Sequence, residues 1–107
     1  INKKLMSIFK GLGINSYYQE CTNKSDNYVI FSIYKEQDTE IADNISNSTL
    51  YYVTINYWYD KSCKHLDKYK IIKEAMKSNG FKYDGCTDLV GTTHFCKNID
   101  FIYKEWN

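Results

Sequence analysis

The sequence predicts an α+β fold: a single antiparallel or mixed sheet of about five strands with two helices on one face, in the order α-β-β-β-α-β-β. Three observations carry this expectation. Two segments show an apolar stripe at helical spacing, five others read as short aromatic and β-branched runs, and polar clusters separate them. Elements that are apolar on one side must bury those sides against each other, which a sheet with helices on one face achieves. The 107 residues predict one domain, 1–107, and at this size roughly two thirds of the unfolded surface can be buried without disulfide staples.

Residues 2–12 place Leu5, Ile8, Phe9 and Leu12 at i, i+3, i+4 and i+7, and Gly11 and Gly13 end this helix. The stretch 14–21 is β-rich, and the polar cluster 22–27 joins it to Tyr28–Tyr34, where Val29, Phe31 and Ile33 share a face. Two strands around such a cluster suggest a hairpin. Residues 35–48 are long and polar and carry Glu36, Asp38, Glu40 and Asp43, so they read as a loop. Strict alternation then makes 50–59 the clearest strand. Tyr51, Val53, Ile55, Tyr57 and Tyr59 face one way, with Tyr52 and Trp58 on the opposite side.

Asp60 or Ser62 can cap a second helix over 63–79, with His65, Tyr69, Ile72 and Met76 along one side and lysines around the rest. Asn79-Gly80 stops it. Residues 81–86 and 92–103 complete the sheet, with 87–91 between them.

Charge and composition exclude several function classes. The 14 bases are all Lys and face 13 acids, for a net charge of +1. Without Arg forks or excess positive charge, specific nucleic-acid binding is not expected. Tyr, Ile, Asn, Lys, Phe and Met dominate while Pro is absent, which reads as A/T-rich coding before it reads as function. No apolar run reaches membrane-spanning length, and the first residues lack a signal-peptide core, so a cytosolic protein with reduced thiols is expected. Near-neutrality hides a split: four acids lie in 35–48 and six lysines between 61 and 77.

Catalytic chemistry is not legible. No nucleophile elbow, P-loop or Gly-rich dinucleotide loop occurs, and the acids of 35–48 lack the central Gly and terminal Glu of a calcium loop. Cys21, Cys63, Cys86 and Cys96 form no Cys-x-x-Cys pair. A zinc site would have to join Cys63 and His65 to His94 and Cys96 across separate elements. Neither catalysis, metal nor cofactor is therefore expected. What the chain offers is aromatic surface, with Tyr52 and Trp58 as candidate sheet-surface contacts, and the acids Glu36, Asp38, Glu40 and Asp43 as a candidate interface or lumen loop. One reading of those acids is a small cytosolic binding or inhibitor module that engages a basic protein partner.

A second reading comes from a resemblance. The stretch Tyr17-Tyr18-Gln19-Glu20, then Asp26-Asn27-Tyr28-Val29-Ile30-Phe31, the acidic segment, Tyr51 to Tyr59, a helix ending in Asn79-Gly80-Phe81, and His94 to Tyr103 together resemble a phage family. It is that of the small tail-completion proteins of siphophages and prophages in low-GC Gram-positive bacteria, related in fold to the tail-terminator protein of phage lambda. The resemblance covers nearly the whole chain. It implies a non-enzymatic protein that forms a homo-oligomeric ring, a hexamer in assembly, capping the head-proximal end of the tail tube. The implied partners are further copies of the chain, the tail-tube protein and the head connector protein, with DNA passing through the ring. The implied location is the host cytoplasm during assembly and the virion tail or neck.

Overall fold

The computed structural model describes residues 1–20, 26–42, 45–62 and 64–106. The elements follow the expected order: α1 (Asn2–Gly11), β1 (Ser16–Tyr18), β2 (Asn27–Ala42), β3 (Ile45–Asp60), α2 (Lys68–Ser78), β4 (Lys82–Val90) and β5 (His94–Trp106). The strands form one sheet in the order β1-β2-β3-β5-β4. Its β1–β2 pair is parallel and the other three pairs are antiparallel, so the sheet is mixed.

The apolar stripes meet as their spacing requires. Leu5, Ile8 and Phe9 from α1 and Ile72 and Met76 from α2 are buried on the sheet face formed by Val29, Phe31, Val53, Ile55, Tyr57, Ile99 and Phe101. Burying such side chains contributes about 1.5–3 kcal/mol each, before the entropy of ordering them is subtracted. Rings give this core its shape: Phe9 lies 6.1 Å from Phe31, and Phe81 stacks on Tyr103 at 4.6 Å. Tyr57 is wholly buried, and its polar tip is satisfied there. Its hydroxyl donates to the His65 carbonyl at 2.9 Å and accepts from the Asn27 amide at 3.1 Å.

Four local expectations are corrected. The first two strands are not a hairpin, because β1 runs parallel to β2 with Ser16 beside Val29 and Tyr18 beside Phe31. Val29 N–H donates to the Asn15 carbonyl and Gln19 N–H to the Phe31 carbonyl, and Gln19 turns the chain away at φ +68°. A polar cluster between two strands is compatible with either pairing direction, so the local residues did not decide it.

The acidic segment is not a loop. β2 continues to Ala42 and β3 begins at Ile45, so Glu36 and Asp38 are strand residues, as is Glu40; Asp43 lies outside the described residues. A bulge between Ile33 and Lys35 leaves Tyr34 unpaired with β3 and exchanges the faces beyond it. Alternation fails as a signal here because the strand has passed the end of the helix layer. The residues packed on the core stop at Ile33, Tyr51 and Tyr103. Two strands of 16 residues at about 3.3 Å per residue span about 50 Å. That hairpin sets the shape of the molecule, which measures 54 × 24 × 24 Å.

The second helix begins at Lys68 rather than near residue 63, and neither Asp60 nor Ser62 caps it. Ser62 instead donates to the Asp60 carboxylate at 2.6 Å, and turns at His65 to Asp67 lead into the helix. Gly80 does stop α2, at φ +88°, a conformation that favours glycine. Finally, β4 continues to Val90, past the expected turn, and β5 to Trp106. Thr87 and Asp88 are polar strand residues on a sheet edge, where their exposed side chains carry no burial signal.

Candidate functional site

Two surfaces outside the core carry the residues singled out from the sequence. The first is the sheet face opposite the helices. Residues that pair directly across strands point to the same side. Trp58 and Cys96, Asn56 and Asn98, and Tyr52 and Ile102 therefore share this face, with Tyr28 and Ile30 beside them on β2. Both helices pack on the other side, so Tyr52 and Trp58 lie on the uncovered face, and each is half-buried among its neighbours.

The centre of this face is polar and ordered. The Asn98 amide donates to Thr54 Oγ1 at 2.8 Å and to Asn56 Oδ1 at 2.6 Å. At one end Tyr52 lies 6.0 Å from the ring of Tyr34, with the Lys35 ammonium 5.2 Å from the Tyr52 ring centre. Burial, then the charges of Asp100 and Asp84, push the Tyr34 hydroxyl above its ordinary value. At the other end Tyr28 meets His94 edge-on at 5.4 Å. A shallow cleft of about 290 Å³ opens there between Tyr28, Ile30, Trp58, Gly91, Thr93 and His94.

Gly91 permits that cleft. A Cβ at this position would stand 2.8 Å from Trp58 Cζ3 and 3.0 Å from the His94 carbonyl oxygen. Gly91→Ala should therefore displace the Trp58 ring, at a cost of about 1–3 kcal/mol. The check is a changed tryptophan emission in the native state, together with a lower denaturant midpoint.

The second surface is the projecting end of the β2–β3 hairpin with the last turn-free residues of β5 beside it. Glu36 pairs with Tyr51 and Asp38 with Thr49, while Glu105 pairs with Thr49 from the other side. These three carboxylates share the Tyr51 face and are exposed. Burial raises the Tyr51 hydroxyl, and the charges of Glu105, Glu36 and Asp38 add to the rise. Thr49 Oγ1 donates to Asp38 at 3.3 Å. On the reverse side Lys104 lies 4.2 Å from the Trp106 ring centre, and Trp106 is exposed.

The four residues considered for zinc are not brought together where they are described. The His65 carbonyl bonds Tyr57 on the helix side of the sheet, whereas His94 and Cys96 belong to the uncovered face. Cys63 lies outside the described residues. Among the described residues no three His, Cys, Asp or Glu side chains are grouped to hold a metal ion. The Cys96 thiol is fully buried, and its pKa is pushed up to about 12, by burial first and then by Cys86 and Asp88. A thiol held protonated in this way is a poor nucleophile. Cys86 is exposed, and burial of its sulfur raises its pKa despite the nearby Lys97 and Lys73 charges.

Sequence reasoning missed two contributors to these surfaces. Glu105 joins Glu36 and Asp38 only through the β3–β5 register, which nothing local announces. Lys35 reaches the uncovered face beside Tyr52 through the bulge, whereas a simple alternation count from Val29, Phe31 and Ile33 assigns it to the helix side. Among the described residues no helix is long and apolar enough to cross a membrane. No protein-family model matches the chain, and no curated protein matches it.

Proposed function

We propose that this protein is a non-enzymatic phage structural protein that caps the tail tube as a ring and provides the head-tail joining surface. The observation that carries the reading is the separation of unlike surfaces on one elongated chain. Exposed acids sit on the hairpin end, and exposed lysines sit on both helices. A chain that offers two different complementary surfaces associates head to tail, and a head-to-tail contact whose rotation closes makes a ring. The resemblance to tail-completion proteins supplies the hexamer, the tail-tube protein and the head connector as partners. It also supplies assembly in the host cytoplasm, followed by residence in the virion tail or neck.

The test is assembly with a siphophage tail-tube protein, followed by electron microscopy. Tubes are expected to stop growing and to carry one ring at one end, and the capped end is expected to bind the connector protein. Unhindered tube growth with the chain remaining monomeric overturns the reading. A stoichiometric complex with a basic cytosolic protein, lost in Glu36→Lys/Asp38→Lys, would instead establish the binding-module alternative.

A further inference from the structure

We infer that the groove between α1 and the outer side of β1 receives the acidic hairpin end of a second copy of this chain. The inference rests on the ring reading and names its contact. β1 is the edge strand of the sheet, and beside it Lys3, Met6, Ser7, Lys10, Ile14 and Ser16 line an open groove of about 640 Å³. Lys3, Met6, Ser7 and Lys10 follow one another at i, i+3, i+4 and i+7, so one stripe of α1 forms the groove wall. The stripe is an apolar patch between two cations: Met6 is 48% exposed, and Lys3 and Lys10 are exposed with no ion-pair partner among the described residues.

The hairpin end carries the complementary charge. Glu36 and Asp38 are exposed and have no ion-pair partner among the described residues, and Ile45, 66% exposed and paired with Ala42, adds apolar surface farther along the hairpin. Two strand residues on one face stand about 7 Å apart, and Lys3 and Lys10 stand about 10 Å apart along the helix. Long lysine stems close that difference. β2 beyond Phe31 also has no strand on its outer side among the described residues, so its edge is open to a neighbouring surface. A hairpin that reaches away from its own core docks on another copy with little rearrangement. The groove and the hairpin end are different surfaces, so the contact is the heterologous kind that a ring requires.

The experiment is sedimentation velocity on the full chain, with and without tail-tube protein, using Lys3→Glu/Lys10→Glu and Glu36→Lys/Asp38→Lys. All four positions are exposed, so melting curves should match wild type. Each double variant alone is expected to lose self-association by at least about tenfold, as charge reversal places like charges across the contact. An equimolar mixture is expected to recover it, because every contact in an alternating ring again joins opposite charges. Recovery in the mixture together with loss in each double variant alone supports the inference. Wild-type-like assembly of both variants overturns it while leaving the ring reading standing, and so does a mixture that stays dissociated. A wild-type chain that stays monomeric on tail-tube ends overturns the ring reading and this contact together.

Discussion

Phe31→Ala is expected to lower the stability of this protein by about 3–5 kcal/mol, the range for removing a buried aromatic ring from a packed core. Phe31 is fully buried, on the strand that links the small edge strand β1 to the rest of the sheet. Its ring lies 6.1 Å from Phe9 on α1 and 5.6 Å from Tyr18 on β1, so one truncation empties the junction of helix, edge strand and sheet. Chemical denaturation should show a lower midpoint with an unchanged slope, and the Tm should fall by more than about 12 °C. Phe31→Leu keeps most of the volume and should lose far less, which guards against a variant that fails to fold. Tyr34→Ala, three residues on but more than half exposed, should change stability by no more than about 0.5 kcal/mol. Equal losses at Phe31 and Tyr34 would contradict the core described above.

Alkaline pH is expected to produce the second large effect, through Cys96. The thiol titrates near 9 in ordinary surroundings and at about 12 in the fold, because burial disfavours the thiolate. A raised pKa of this kind contributes stability that is complete below pH 9. Above pH 9 the unfolded chain releases the proton while the folded chain keeps it, so stability falls until the folded thiol also titrates. For one proton the slope is about 1.4 kcal/mol per pH unit, or roughly 4 kcal/mol by pH 12 as an upper bound. The raised hydroxyls of Tyr51, Tyr34 and Tyr57 act in the same direction, each mainly through burial, and steepen the loss above pH 10. Denaturation midpoints measured from pH 7 to 11 should fall progressively past pH 9, and Cys96→Ala should flatten the curve. An identical pH dependence in wild type and Cys96→Ala would show that the thiol is not held as described.

How far these features were legible in the residues follows from what each depends on. Leu5, Ile8 and Phe9, and Ile72 with Met76, announced their helices because each helix covers the sheet with one side. The alternation of β3 separated Val53, Ile55 and Tyr57 from Tyr52 and Trp58 for the same reason, and these two groups do lie on opposite faces. Glu36 and Asp38 were recognisable as an acidic group but not as strand residues. Past Ile33 their strand has no side packed on the core to pattern, and its backbone is satisfied by β3, with β5 beyond it, rather than by anything in its own sequence.

The sequence by itself therefore determined the class, the order of elements and the composition of the core, because burial on one side imposes a period that can be read along the chain. Only the tertiary structure decided the parallel placement of β1, the length of the hairpin, the bulge that turns Lys35 to the uncovered face, and the meeting of Glu105 with Glu36 and Asp38. These depend on register and pairing direction between segments distant in the chain. Backbone hydrogen bonds settle both, and they are chemically the same for nearly every residue type.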